Sequence, residues 1–283
     1  MAWSNAPLTR GEVESLTNVW RARGLVPVLI AVASAFAAWA LLLPVVPTAV
    51  IDADQPASLA GLSTGVFMLA TVITQVFVPK ALKTVGYRWV IAVASLLLGI
   101  PALGYMIGME PAPLLTVSAI RGVGFGALSV AEAAIVAELV PLRLLGSATG
   151  IFGVVVGLAQ MVALPSGLAL VDVVGYNAVY IIATAIGAVS LAACFAIPTI
   201  PTPEPDAETA QSVRVPMWHL ALVPALALMF VTTAYGAITN FLPVSMRELD
   251  PVSGAALAGV MLGALNFAAM ISRYVAGRIM DRR

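Results

Sequence analysis

The chain has 283 residues, of which 61 % are hydrophobic and 10 % charged, against roughly 45 to 50 % and roughly 25 % in soluble domains. That composition excludes an ordinary soluble enzyme and makes the lipid bilayer the solvent to reason about. Fourteen basic and fourteen acidic side chains give a formal net charge of zero, so the basic excess that a nucleic-acid partner would require is missing. Cys194 is the single cysteine. It cannot form an internal disulfide, and without a CxxC pair or a His/Cys cluster neither a metal site nor a cofactor is implied.

A helix needs about 20 mainly apolar residues to cross a hydrocarbon core of about 30 Å. No charge occurs between Arg23 and Asp52, Asp54 and Lys80, Arg88 and Glu110, Arg143 and Asp172, Asp172 and Glu204, Arg214 and Arg247, or Asp250 and Arg273. Those intervals predict seven spans. An eighth, from Pro111 to Val140, is the fourth in chain order and carries Arg121 and Glu132 inside it. The first apolar run is too long for a signal-peptide core and follows Glu12 and Glu14, which predicts a retained helix.

Lys and Arg accumulate in cytoplasmic loops. With the N-terminus inside, the inner segments hold Arg10, Arg21, Arg23, Lys80, Lys83, Arg88, Arg143, Arg214, Arg278, Arg282 and Arg283, whereas the outer loops hold only Arg247. This predicts a multi-pass protein with a cytoplasmic N-terminal segment, 1–24. Two lysines beside twelve arginines suit a GC-rich prokaryotic genome, and hence a cell (inner) membrane. Between spans six and seven, prolines 198, 201, 203 and 205 precede Asp206, Glu208 and Gln211. That composition predicts a cytoplasmic linker, 200–215, between a six-helix bundle, 25–199, and two further helices, 216–283.

The chain also repeats itself. Leu59-Ala60-Gly61-x-x-x-Gly65 recurs as Leu257-Ala258-Gly259-x-x-x-Gly263, an offset of 198 residues, and the same offset aligns Pro79 to Arg88 with Gly277 to Arg283. Spans two and eight then run in the same direction, as in transporters with parallel repeats. Upstream, Ser34 faces Thr233, Phe36 faces Tyr235 and Pro44 faces Pro243, after a one-residue gap.

Gly277-x-x-x-Asp281-Arg282, Ala137-Glu138-Leu139-Val140-Pro141 with Gly146-x-Ala148-x-Gly150, and Arg121-Gly122-Val123-Gly124-Phe125-Gly126 resemble, in order and spacing, loop and helix-four motifs of the major facilitator superfamily of secondary transporters. The resemblance covers all eight spans. It implies an all-α membrane protein with a complete N-terminal six-helix bundle and the first two helices of a second. It also implies that helices one, four and seven line a central cavity, and that Lys83, Gly86, Arg88, Gly277, Asp281 and Arg282 belong to gating loops. The first-half loop has Pro79 and Lys83 where the family has glycine and aspartate. The helix-five signature of drug antiporters is reduced to Leu164-Pro165-Ser166-Gly167, so drug export is not implied. Members have twelve helices, and a chain ending at Arg283 is expected to be a truncated or partial protein.

A charge deep in a span costs about 2.5 to 3.5 kcal/mol on insertion scales unless it meets a cavity or partner, which marks Arg121 as a functional residue or as one held by nearby carbonyls. Glu132 follows eleven residues later, on nearly the same helix face and about 16 Å along the axis. The expectation is that both look into one cavity, with Glu132 carrying a coupling proton. Ser34, Phe36, Trp39, Gln160, Tyr235 and Asn240 complete the expected substrate cavity, while Gln75 and Asn266 suit interhelical glue. No nucleophile triad, carboxylate pair or phosphate-cradling loop is present, so the reading is not an enzyme. The expected activity is proton-coupled transport of a small organic solute by alternating access. The rival is a transport-incompetent membrane protein that binds a ligand or partner.

Overall fold

The computed structural model describes residues 7–200, the single positions Leu222, Leu226, Phe230 and Ala234, and residues 254–281. They fall into two compact units, residues 1–202 with 270–283, and residues 203–269. Every regular element among the described residues is helical. Apart from residue 200, the expected linker 200–215 lies outside the described residues.

The first unit starts with a short helix, α1 (Arg10–Glu14), closed by a capping box in which Thr9 and Glu12 serve each other's backbone N–H. The hydrogen bonds from Thr9, backbone first, and then the Arg23 guanidinium hold the exposed Glu12 carboxyl below its ordinary range. Five longer stretches follow: α2 (Leu25–Asp52), α3 (Ala57–Val85), α4 (Tyr87–Gly99), α5 (Pro111–Glu138) and α6 (Leu145–Cys194). Counting the 3-10 extension Ile100–Met106 with α4, these five are long and apolar enough to cross a bilayer. The extension begins where Pro101 has no N–H to continue the α-helical ladder. Helices overrun the charge-free intervals: α3 continues through Lys80 and Lys83 to Val85, because long basic side chains can reach out of an apolar layer while the backbone stays helical.

At about 1.5 Å per residue, the 50 residues of α6 would make a rod of about 75 Å, far longer than a bilayer core. Gly175 breaks it, with φ 78° and ψ 168°, a backbone conformation open to glycine. Ile151 before the break and Cys194 after it belong to one core cluster with Leu25, Val28 and Ile135. Val179 and Tyr180, just past the break, belong to a second cluster with Val45, Val50 and Leu114. The chain therefore crosses from the first layer to the second and returns. Sequence placed this reversal at Asp172; the structure places it three residues later, where glycine permits it. Trp39 packs against both layers and joins them.

The N-terminal segment is fastened to the first layer. Leu8, Val19 and Ala22 are buried there, Leu8 N–H donates to the Thr199 carbonyl, and Arg143 donates to the carbonyls of Glu14 and Leu16. Gly24 caps α2 at φ 90°, and a Cβ there would stand 2.4 Å from Pro198 Cδ.

In the second unit, Leu222, Leu226, Phe230 and Ala234 are helical and exposed, four residues apart and so on one stripe. The remaining long helix is α7 (Gly254–Met280); its residues from 270 onward belong to the first unit.

Helix crossings in the first unit are built on glycine. A Cβ on Gly122 would lie 2.3 Å from the Phe67 carbonyl oxygen, one on Gly126 2.5 Å from that of Thr71, and one on Gly124 2.5 Å from the Leu98 nitrogen. One short run of α5 thus lets α3 approach on one side and α4 on the other. Thr71 Oγ1 completes the first crossing by donating to the Gly122 carbonyl at 3.0 Å. By contrast, Gly61 and Gly65 of the repeated motif have nothing within 4 Å. Gly122→Ala is therefore expected to destabilise the folded protein by about 1 to 3 kcal/mol through overpacking, while Gly65→Ala leaves the melting temperature unchanged or raises it slightly. Thermal unfolding of the two purified variants checks this; equal losses would refute the assignment of the close contact to Gly122.

Candidate functional site

Arg121 sits at the crossing of α5 with α2, α3 and α4 and is only 3 % exposed. Its Nε donates to the Leu98 carbonyl at 3.0 Å and one terminal nitrogen to the Ala38 carbonyl at 3.4 Å. The guanidinium carbon lies 5.9 Å from the Phe67 ring centre and 5.5 Å from that of Tyr105, distances at which the ring quadrupole attracts a cation. Carbonyl dipoles and aromatic faces thus replace water around the charge. A narrow cleft opens beside it, walled by Trp39, Ser63, Phe67, Tyr105, Ser118 and Arg121 among others. Its cavity volume of about 30 Å³ is room for one or two waters.

An aromatic cluster supports the cleft from the first layer. Trp39 stacks on Phe125 with ring centres 4.6 Å apart and planes at 16°. Phe36 meets Phe125 edge-on at 5.4 Å and Phe152 at 6.4 Å. From the opposite layer Tyr180 packs on Tyr105 at 5.5 Å, and Tyr105 Oη shares a hydrogen bond of 3.1 Å with Ser118 Oγ. Further out, Tyr176 donates to Asp52 at 2.5 Å.

Of the expected cavity residues, Trp39 and Arg121 line the cleft, and Phe36 packs against Trp39. Ser34 and Gln160 are half-buried and are not among its walls. Tyr235 and Asn240 lie outside the described residues, as does the side chain of Asn266. Gln75 donates to Ser129 at 3.1 Å, tying α3 to α5.

Among the described residues, Arg121 lines the cleft and Glu132 does not. Glu132 is fully buried, its two carboxylate oxygens accept no hydrogen bond, and it is not among the residues lining the cleft. Eleven residues along α5, Glu132 lies in the first core layer, to which Leu128, Ile135 and Cys194 belong. Cys194 lies within electrostatic reach of both Glu132 and Arg88. Beside it, Ser95 and Ser190 share a 2.9 Å hydrogen bond.

At the loop motifs, Lys83 is exposed, Gly86 ends α3 at φ 87°, and the half-buried Arg88 lies 5.4 Å from the centre of the Phe195 ring. The second motif is engaged. Asp281 accepts from the Gly146 and Ser147 backbone nitrogens, each at 2.7 Å, at the start of α6 where N–H groups lack partners within the helix and the dipole favours an anion. Gly146 and Gly277 permit this approach, since a Cβ on either would come within 2.3 Å of the other's carbonyl oxygen. Arg282 lies outside the described residues.

Sequence reasoning missed Tyr105, Tyr180, Phe67 and Phe125 as neighbours of the charge, because an aromatic residue in an apolar span reads the same toward lipid or toward a core. Asp281 and Gly146 both belong to the loop motifs, but nothing in their spacing marks them as partners.

The family model of the Major Facilitator Superfamily matches residues 28–283. No curated protein sequence matches the chain. Among the solved structures that match is a D-xylose-proton symporter, with a TM-score of 0.53 and 15 % sequence identity. The match covers 93 % of this chain and 66 % of the symporter, so the chain spans slightly less than two thirds of that protein's length. An identity this low speaks to fold alone. The helical architecture and the family match over nearly the whole chain agree: this multi-pass membrane protein belongs to the Major Facilitator Superfamily.

Proposed function

We propose that the protein moves a small organic solute across a cell membrane by alternating access, coupled to protons, with Arg121 in the substrate site and Glu132 as the proton carrier. The observation that carries this reading is Arg121: a permanent charge, held by carbonyls and rings within the membrane-spanning helices, beside a cleft. Such a group is costly to keep in a bilayer without a task. The symporter's name agrees with small-solute transport driven by protons. Glu132 is enclosed with no donor, so its protonation can follow any opening of the bundle that hydrates it.

The arrangement we propose is six spans in residues 25–199, counting α6 as two, followed by two more in 216–283, with the N-terminus in the cytoplasm. The return of α6 to the layer that holds Leu25 supports the first part; the placement of basic residues supports the second. Among the loop-motif residues Asp281 has the clearest gating role, because its two hydrogen bonds must break before the start of α6 and the end of α7 can part. Ser34, Phe36, Trp39 and Gln160 of the first bundle, with Tyr235 and Asn240 of the next span, are proposed to face the solute path.

Cysteines placed at Asp52 and Glu110 are expected to react with an impermeant thiol reagent added outside intact cells, and those at Lys83 and Gln211 are not. Cys194 is buried and contributes no background. Labelling at Lys83 from outside would reverse the topology.

Arg121→Ala is expected to lower solute uptake into proteoliposomes at least tenfold while the protein still reaches the membrane. Glu132→Gln keeps the shape of a permanently protonated acid; it is expected to retain counterflow at equal pH and to lose accumulation driven by a proton gradient. A Glu132→Gln protein that still concentrates solute on protons alone removes Glu132 from the mechanism.

A further inference from the structure

Resting on the transport reading, the hydrogen-bonding inventory of the cleft narrows the class of solute. Arg121 commits its Nε and one terminal nitrogen to carbonyls, and its other terminal nitrogen has no acceptor among the described residues. Trp39 Nε1, which can only donate, is buried without an acceptor, and Trp39 walls the same cleft. Of the four hydroxyls there, Ser63 donates to the Ala60 carbonyl at 2.7 Å and Tyr105 and Ser118 share one hydrogen bond, while Thr64 supplies the fourth. None of the lining residues among the described residues is an acid, so among them the Arg121 charge meets no carboxylate in its cleft. Donors without acceptors, beside a cation balanced by dipoles and rings and by no full charge, favour an anionic acceptor. Size adds a second constraint. A cleft of about 30 Å³ holds one or two waters. It admits a compact head group and leaves the rest of the solute outside, against the rings of Trp39, Phe67 and Tyr105.

We propose that the cleft takes the carboxylate of a small organic acid with an apolar or aromatic body, Arg121 and Trp39 donating to its two oxygens. A neutral polyol offers no charge to match the guanidinium. An organic cation would face Arg121 with like charge.

The test is calorimetric titration of the purified protein with four probes at one ionic strength: benzoate, benzamide, D-xylose and chloride. Benzoate is expected to bind at least tenfold more tightly than benzamide, with no heat from D-xylose or chloride. Arg121→Gln is expected to lose benzoate binding at least tenfold. Trp39→Phe keeps the ring and removes the N–H, and it is expected to lose affinity several-fold without a change in melting temperature; it serves as the second variant if Arg121→Gln does not fold. Equal binding of benzamide, binding of D-xylose alone, competition by equimolar chloride, no binding by any probe, or benzoate affinity unchanged in a folded variant would each overturn the assignment. Counterflow of labelled benzoate in proteoliposomes separates this inference from the reading it rests on. Binding without flux keeps the anion site and refutes transport, whereas D-xylose flux with no benzoate binding keeps transport and refutes the anion site.

Discussion

The first bundle is organised around keeping one guanidinium out of water. Within a membrane-spanning helix the Arg121 guanidinium has to be met by polar groups and rings where it stands. The means are two carbonyls, Leu98 on α4 and Ala38 on α2, and two rings, Phe67 and Tyr105. Carbonyls in helices are already engaged, and reaching their free lone pairs requires neighbouring backbones to come close. Gly124 lets α4, which carries the Leu98 carbonyl, come close, and Gly122 and Gly126 admit α3, which carries Phe67. The glycine run after Arg121 thus brings in one of the two carbonyls and one of the two rings that surround the charge.

How much of this was legible in the sequence depends on the kind of signal. Spans were legible because charges are excluded from hydrocarbon, and Arg121 and Glu132 stood out as charges where none should be. Their different fates were not legible. Eleven residues of α-helix fix a direction but say nothing of what lies in it; Arg121 meets a cleft and Glu132 a packed layer only because α4 and the second arm of α6 close over the latter. Likewise, Asp172 advertised a loop, but the fold needed a single residue with positive φ to reverse the chain, and Gly175 was at hand. Tyr105 and Tyr180 carry no sequence mark that separates a core aromatic from one facing lipid.

The division of the core into two layers bears on how such a bundle could move. Trp39 belongs to both layers, stacks on Phe125 and walls the Arg121 cleft. A solute head group that displaced its ring would disturb the junction between layers, not merely one side of a pocket. At the face that carries the N-terminal segment, the constraint has another character. Asp281 holds the start of α6 through two backbone N–H groups across a Gly146–Gly277 contact. That junction has small residues and few atoms to repack, whereas parting the large rings of the aromatic junction would leave large voids. The structure therefore pairs a small-residue contact closed by one carboxylate at one end with a packed aromatic junction in the middle.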